Sequence, residues 1–362
     1  MRPGVTIVSL LVLLLVCVQC ASHGSEKRGD IRRLKQELDA IDSRLGEIDD
    51  NAASGRFVLG SGDYERYIRI GWRKRRYTLH VPPSYSPKTP VPLVLNLHGG
   101  GGRSATARLQ TGMDRTADRA GFIVVYPDGT GRTIWSHRLL TWNAGECCGP
   151  AVEKNVDDVG FISAVLDDVA SLFNIDAGRI YATGLSNGAM MAYRLACELS
   201  GRIAAIGPVA ATMGLKECRP TRPVSVIHFH GTADRNSPFA GGVGSLAVVK
   251  MQHMSVMDDI MFWVKVNRCS PEPVEKYSLP NTTVEIFRAG DGTEVELVRI
   301  EGMGHGWPGG REMLSRELEG DVSHSINAND MMWDFFQRHP MPWAEKRVAS
   351  GIGPVRSFGP DR

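Results

Sequence analysis

The chain has no surplus of charge of either sign: 42 lysines and arginines face 40 aspartates and glutamates, for a formal net charge of +2. Nucleic-acid binders show a basic stripe or face. The one basic cluster here, Arg73-Lys74-Arg75-Arg76, is short and falls in a predicted hairpin. It reads as a solvated edge-strand face whose charges discourage pairing with another chain, and no nucleic-acid partner is expected. A metal motif is also missing. His228 and His230 lie two apart on a predicted strand, but no third ligand stands at a spacing that would complete a zinc site. No metal and no cofactor are expected, and His230 is assigned instead to holding the loop that follows it. The chain has no internal repeat and nothing that marks it as disordered throughout. With 362 residues, 42% hydrophobic and 23% charged, it can bury a full core as one large domain or two modest ones.

A membrane-spanning run is absent too. Val5 to Val18 is apolar and follows Arg2, but a span needs about 20 apolar residues. With Cys20-Ala21-Ser22 behind it, the run reads as a secretory signal peptide over residues 1–22, which places the mature protein outside the cytoplasm, secreted or periplasmic. Cys20 as a lipid-anchored residue is the alternative; Gln19 stands where such signals usually carry Gly or Ala. Removing the signal leaves Cys147, Cys148, Cys197, Cys218 and Cys269. An odd number in an oxidising compartment means a free thiol or a link between chains. Cys197, Cys218 and Cys269 are expected at the bottom of a sheet, where a bridge would be structural. Cys147 and Cys148 either bridge each other or pair elsewhere.

Residues 23–55 form an amphipathic or short coiled-coil segment with a linker. Ile31, Leu34, Leu38, Ile41, Leu45 and Ile48 recur at spacings of three and four, over less than three heptads and with Gly46 interrupting. The seam suits a homodimer through residues 31–48, a helix docked on the domain, or a stalk. The catalytic domain is expected over residues 56–345, followed by a tail at 346–362.

Within it, strands alternate with helices. Tyr67 to Ile70 and Tyr77 to Val81 read as a hairpin. Pro92–Leu97, Phe122–Tyr126, Arg179–Thr183, Ala204–Ala210, Val224–Phe229 and Glu294–Ile300 read as strands. Ala105–Ala120, Val156–Phe173, Asn187–Leu199, Val256–Asn267 and Ala328–Arg338 read as helices. This order predicts a mainly parallel sheet wrapped by helices. Asp157 and Asp158 open a helix, so they are read as capping and loop-bonding groups rather than a carboxylate pair.

Gly184-Leu185-Ser186-Asn187-Gly188 is a G-x-S-x-G sequence at a strand-to-helix junction, the setting in which a sharp turn lifts a serine hydroxyl above the sheet. A nucleophilic serine needs a base, an acid that orients the base, and donors for an oxyanion. Asp234 follows a strand in His230-Gly231-Thr232-Ala233-Asp234. His305 follows the last strand in Gly302-Met303-Gly304-His305-Gly306-Trp307-Pro308. The chain order Ser, acid, His fits this fold type. Upstream, His98-Gly99-Gly100-Gly101-Gly102 lets backbone N–H groups approach a ligand, so Gly99 and Gly100 join the N–H of Asn187 as oxyanion donors. Trp142 and Trp307, beside these loops, are candidate aromatic walls for a substrate group.

These motifs, with Trp142-Asn143-Ala144-Gly145, Cys147-Cys148-Gly149, Val156-Asp157-Asp158-Val159-Gly160-Phe161, and Pro238 and Gly241-Gly242 after Asp234, resemble the catalytic modules of secreted poly(3-hydroxybutyrate) depolymerases and feruloyl or acetylxylan esterases. The resemblance spans roughly Arg66 to Pro340. It implies an α/β-hydrolase fold, a Ser186-Asp234-His305 triad, a main-chain oxyanion donor near Gly99 or Gly100, and a serine esterase that acts on hydroxyalkanoate or feruloyl and acetyl cell-wall esters. Polymer-degrading members often carry Cys where this chain has Gly100, and no polymer-binding stretch follows the last helix; both departures weigh against crystalline polyester. A serine peptidase of similar fold, and a non-catalytic envelope protein assembling through its heptads, are the alternatives.

Overall fold

The computed structural model describes residues 59–133, 138–313 and 315–341. The expected signal peptide, the heptad segment and the tail lie outside them. In chain order the elements are β1 (Gly62–Ile70), β2 (Arg73–Val81), β3 (Val91–Leu97), α1 (Ser104–Thr111), α2 (Met113–Ala120), β4 (Ile123–Pro127), α3 (Gly149–Glu153), α4 (Asp158–Leu172), β5 (Ile175–Leu185), α5 (Asn187–Glu198), β6 (Ala205–Val209), β7 (Ser225–Gly231), β8 (Gly242–Val243), β9 (Gln252–His253), α6 (Val256–Val266), β10 (Glu275–Leu279), β11 (Thr282–Arg288), β12 (Glu294–Ile300), α7 (Arg316–Glu319) and α8 (Ala328–Arg338).

Ten strands form one sheet in the order β1-β2-β4-β3-β5-β6-β7-β12-β11-β10. The centre, from β4 to β12, is parallel. Its strands read as nearly unbroken apolar runs because helices cover both faces: β4, β6 and β7 are buried at every position. Both margins are antiparallel hairpins. Their outer strands face water, so β1 alternates between half-buried and exposed residues, and β10 is exposed throughout. Among the helices on the sheet, α8 lays Phe336 flat on Tyr181 of β5, ring centroids 4.5 Å apart.

Three readings of the sequence are corrected. The helix expected over 105–120 is two helices, because Gly112 takes a left-handed conformation at φ 58 and returns its N–H to Arg108, ending one helix and starting the next. The β10–β11 hairpin was not foreseen: β10 has no buried face to impose an alternating pattern, and its only signal is the Pro280-Asn281 turn. The basic cluster is not uniformly solvated. Arg75 is buried; its guanidinium bonds Asp158 Oδ1 at 2.7 Å and lies 3.9 Å from the Phe161 ring centre. Arg76 pairs with Asp128 and Glu65, which leaves Arg73 and Lys74 at the surface.

Asp157 caps α4 by accepting the N–H of Gly160 at 2.7 Å, and Asp158 accepts the N–H of Asn143 at 2.8 Å. This second bond, with Arg75 behind it, fastens the 142–149 loop to the helix. Cys147 is bridged to Cys148, Cys197 to Cys218, and Cys269 is free.

Cys197 lies at the carboxyl end of α5, the end of the helix remote from Ser186. Closing a loop of this length contributes about 3 kcal/mol, chiefly by restricting the unfolded chain. A Cys197→Ser, Cys218→Ser double variant should therefore melt about 5–10 °C lower by calorimetry. Its turnover of a small ester at 25 °C should match that of the wild type.

Candidate active site

Four loops leave the carboxyl ends of parallel strands at one sheet edge: 98–102 after β3, Ser186 after β5, 232–234 after β7, and 301–305 after β12. In open α/β sheets this edge is where ligands bind. Ser186 occupies the turn itself at φ 56, ψ −120, a conformation that L-residues rarely take. Its N–H donates to Val209 O at 2.9 Å, and its carbonyl accepts from Met190 at 3.0 Å. The turn is this tight because β3 sits against it. A Cβ on Gly184 would come within 2.6 Å of Leu97 O, and one on Gly188 within 2.2 Å of the same atom. The two glycines are thus sterically required, and the residue between them remains partly open to solvent.

The loop after β3 meets this turn directly. A Cβ on Gly99 would lie 3.7 Å from Ser186 Cβ, and one on Gly100 would lie 3.7 Å from Asn187 Cβ. Gly101 donates its N–H to Leu140 O, on the segment before Trp142, and Gly102 donates to Gly99 O within the loop. Its shape is set by His98, a residue the sequence reading passed over. Gly129 N–H donates to His98 Nε2 at 2.9 Å, so Nδ1 must carry the proton that it shares with Gly99 O at 2.8 Å. Burial pushes the imidazole down to about 4, which keeps it neutral and in this tautomer. The side chain of Asn187 is fixed as firmly. Its Oδ1 accepts the N–H of Trp142 at 2.7 Å, and its Nδ2 donates to Trp142 O at 3.1 Å.

Trp142 and Trp307 do not stand where aromatic substrate walls would. Trp142 is fully buried and its indole N–H donates to His98 O at 2.9 Å, so it braces the glycine loop from beneath. Trp307 is buried in the core and donates to Asn329 Oδ1 at 3.0 Å. Proximity in sequence to a loop does not say which side of the loop a ring occupies, and a buried indole with a satisfied N–H is a scaffold.

Asp234 and His305 are brought together: His305 Nδ1 lies 2.7 Å from Asp234 Oδ2. The other carboxylate oxygen accepts the N–H groups of Asn236 and Ser237, both at 2.8 Å. Burial works against the charge on Asp234, but the facing His305 outweighs it and holds the carboxyl below its usual range. Burial likewise lowers His305, and the charge and hydrogen bond of Asp234 overcome it, so the imidazole is raised above its ordinary value. The loop of His305 is tied down by Gly304, whose N–H donates to Asp321 O at 2.8 Å.

Behind Asp234 runs a buried chain that sequence reasoning saw only at its first link. His230 Nε2 is 2.8 Å from Ser237 O, a carbonyl that can only accept. His230 Nδ1 is therefore unprotonated and accepts the hydrogen bond of His228 Nε2–H at 3.0 Å; His228 Nδ1 then accepts from Tyr193 OH at 2.7 Å. Tyr193 also faces the buried Asp259, which accepts the N–H of Met213 at 3.1 Å and whose carboxyl is pushed up to about 7 by burial. Burial lowers both histidines, and each remains neutral. This matters because His230 Nε2 is only 3.5 Å from Asp234 Oδ2. A neutral His230 leaves His305 as the cation that Asp234 can stabilise. Asp258, at the start of α6, is exposed and bonded to the helix cap Ser255. His228 and His230 are thus committed to one another, and no group of metal-binding side chains occurs among the described residues.

Residues 75–250 match the family described as esterase PHB depolymerase. Feruloyl esterase B of Piromyces equi is 28% identical over 275 residues, covering 74% of this chain and 46% of that protein. The bifunctional acetylxylan esterase/xylanase XynS20E of Neocallimastix patriciarum is 30% identical over 173 residues, covering 48% of this chain and 23% of that protein. The chain thus spans less than half the length of either relative. The solved structure of acetyl xylan esterase from Aspergillus awamori superposes with a TM-score of 0.51 at 14% identity, over 75% of this chain and 99% of that one, a likeness of fold. With the parallel sheet and the serine turn in hand, the chain has an α/β-hydrolase fold, and its residues 75–250 are similar to the esterase PHB depolymerase family.

Proposed function

We propose that this chain hydrolyses carboxylic esters outside the cytoplasm, with Ser186 as nucleophile, His305 as base and Asp234 as the acid that orients it. The observation that carries this reading is the 2.7 Å bond between Asp234 and His305 at the sheet edge where Ser186 forms its strained turn. Ser186 Oγ attacks the ester carbonyl as His305 Nε2 takes its proton. The N–H groups of Asn187 and of Gly99 or Gly100 stabilise the oxyanion, which collapses to an acyl-enzyme as His305 returns the proton to the leaving alcohol. Water, deprotonated by His305, releases the acid. The apolar run at Val5 to Val18 and the Cys197–Cys218 bridge support export. Among the described residues no helix is long and apolar enough to cross a membrane.

Of the candidate substrates, the two relatives named above favour feruloyl or acetyl esters of cell-wall polysaccharide over hydroxyalkanoates. A panel of methyl ferulate, acetylated xylan and hydroxybutyrate oligomers separates these. Turnover of the oligomers alone would reverse the preference.

Ser186→Ala should fold normally, since it removes one partly exposed hydroxyl, and should lose about 10⁶-fold in kcat. A variant that keeps a tenth of wild-type turnover excludes this serine.

His305 must be neutral to act as base, and its pKa is raised by Asp234. Activity should therefore fall as pH drops through a value above the ordinary 6.5 of histidine. Asp234→Asn should move that acid limb downward and cost about 10⁴-fold by favouring the wrong imidazole tautomer. An acid limb at the same pH in both proteins would rule Asp234 out.

Asp259 tests the acid assignment from the other side. Its folded pKa of about 7 lies above the ordinary 3.8, so its stabilising contribution is full below pH 3.8 and is lost as pH rises through 7. The loss amounts to about 4 kcal/mol at 1.36 kcal/mol per unit. Asp259→Asn has no charge to bury and can still accept the N–H of Met213. It should melt higher than the wild type at pH 8 and no higher at pH 4, and it should keep kcat within about tenfold, unlike a triad acid. An inactive Asp259→Asn beside an active Asp234→Asn would transfer the role.

A further inference from the structure

The tip of the β1–β2 hairpin carries side chains that neither the core nor the site uses. Gly71 turns the chain at φ 55, and Trp72 beside it is 66% exposed. The Arg73 guanidinium lies 4.4 Å from the centre of the Trp72 ring, and Lys74 Nζ lies 4.0 Å over the ring of Tyr67, itself exposed. Arg69 stands opposite Lys74 in the strand register. Further along the hairpin, acids hold the cations: Glu65 and Asp128 take Arg76, and Asp63 and Asp118 take His80. Among the described residues no carboxylate pairs with Arg69, Arg73 or Lys74. The result is two exposed aromatic rings and three uncompensated cations in one place.

Strand register fixes where that place is. β2 runs antiparallel to β4 with Tyr77 opposite Pro127, the last residue of β4. The chain from Tyr77 back to Trp72 therefore projects past the same edge that bears Ser186, Asp234 and His305. Two further strand spacings, through β3, separate β4 from β5. At about 3.3 Å per residue along a strand and 4.8 Å between strands, the tip stands on the order of 20 Å from the Ser186 turn.

We propose that this tip is a docking site for carboxylate-bearing polysaccharide, which holds a polymeric substrate while one of its ester groups reaches Ser186. The proposal rests on the esterase reading above. A pyranose ring presents a flat face of C–H groups that stacks on an indole. Arg73 covers one face of Trp72, and the cations around it recognise acid groups carried on the polymer. A lipid surface fits less well. An interfacial anchor buries apolar surface, whereas here each ring has a cation over it, and Ile70, the residue before the Gly71 turn, is half-buried.

The experiment uses the full chain, with acetylated glucuronoxylan, an uncharged acetylated xylan, and p-nitrophenyl acetate as the small ester. Trp72→Ala, and separately the pair Arg73→Gln and Lys74→Gln, should weaken retention by glucuronoxylan in affinity electrophoresis. Each should also raise KM for that polymer by roughly tenfold, the equivalent of about 1.4 kcal/mol, with kcat and all p-nitrophenyl acetate kinetics unchanged. Added salt should reproduce the loss in the wild type, since exposed charges are screened over about 8 Å at physiological ionic strength. Unchanged KM for glucuronoxylan in Trp72→Ala would overturn the proposal. So would Trp72-dependent binding to phosphatidylglycerol vesicles without binding to glucuronoxylan, which would assign the tip to a membrane surface. A wild type that binds glucuronoxylan through Trp72 yet hydrolyses no ester would leave the docking site standing and overturn the esterase reading.

Discussion

The structure depends on how closely the turn at Ser186 packs against the end of β3. Gly184 and Gly188 stand where any side chain would run into the carbonyl of Leu97, so the turn can neither relax nor back away. A serine between them is held at positive φ by this contact, with its N–H fixed on Val209 and its carbonyl starting α5. The same contact brings the 98–102 loop against Asn187. Nucleophile and oxyanion donors in the proposed mechanism thus share one steric cause. Strain of this kind persists only where the surrounding packing over-determines it, and here β3, β5, β6 and α5 all converge on the turn.

Electrostatics sort the histidines in the same spirit. Five of them lie in or beside this edge, and burial drives His98, His228, His230 and His253 toward the neutral form while Asp234, with a smaller contribution from Glu319, raises His305. The distinction is one of partners. His98 and His230 each have a backbone carbonyl to donate to and a nitrogen left to accept, which suits a neutral ring. His305 faces a carboxylate whose other oxygen is already saturated by two N–H groups. A second imidazolium within 3.5 Å of Asp234 would divide that carboxylate's field between two rings. The chain from Ser237 O back to Tyr193 prevents it by fixing every proton along the way.

Much of this was legible in the sequence because glycine and strand pattern mark loops without ambiguity. The G-x-S-x-G turn, the glycines after His98 and the strand-terminal positions of Asp234 and His305 could each be located from local residues alone. What a side chain does there depends on which side of a loop it takes, and local pattern does not carry that information. Trp142 and Trp307 therefore looked like walls but lie beneath the loops, and Arg75 looked solvated but meets Asp158 from 83 residues away. The roles of the His98 and Tyr193 side chains escaped notice for the same reason, and Asn187 was read for its N–H and not for its side chain, since each side chain acts through a partner distant in sequence. β10 was missed because an exposed edge strand has no face to alternate.

The sheet divides its tasks by exposure. Its parallel centre is buried on both faces, so loops leaving it inherit fixed strand ends, and positions can be held to fractions of an ångström. Its antiparallel margins face water and are free to vary in surface chemistry without disturbing that frame. On the β10 side the margin shows the charge that keeps edges from pairing, with Glu275 and Lys276 exposed. On the β1 side charge accumulates differently: acids neutralise it along the hairpin's length and stop short of the tip, where an indole stands exposed among cations. Edge protection alone would be served by charge without a tryptophan, because an exposed indole adds apolar surface that favours association. The two margins thus meet the same hazard with different residues, and the tryptophan on one of them is the feature that edge protection leaves unexplained.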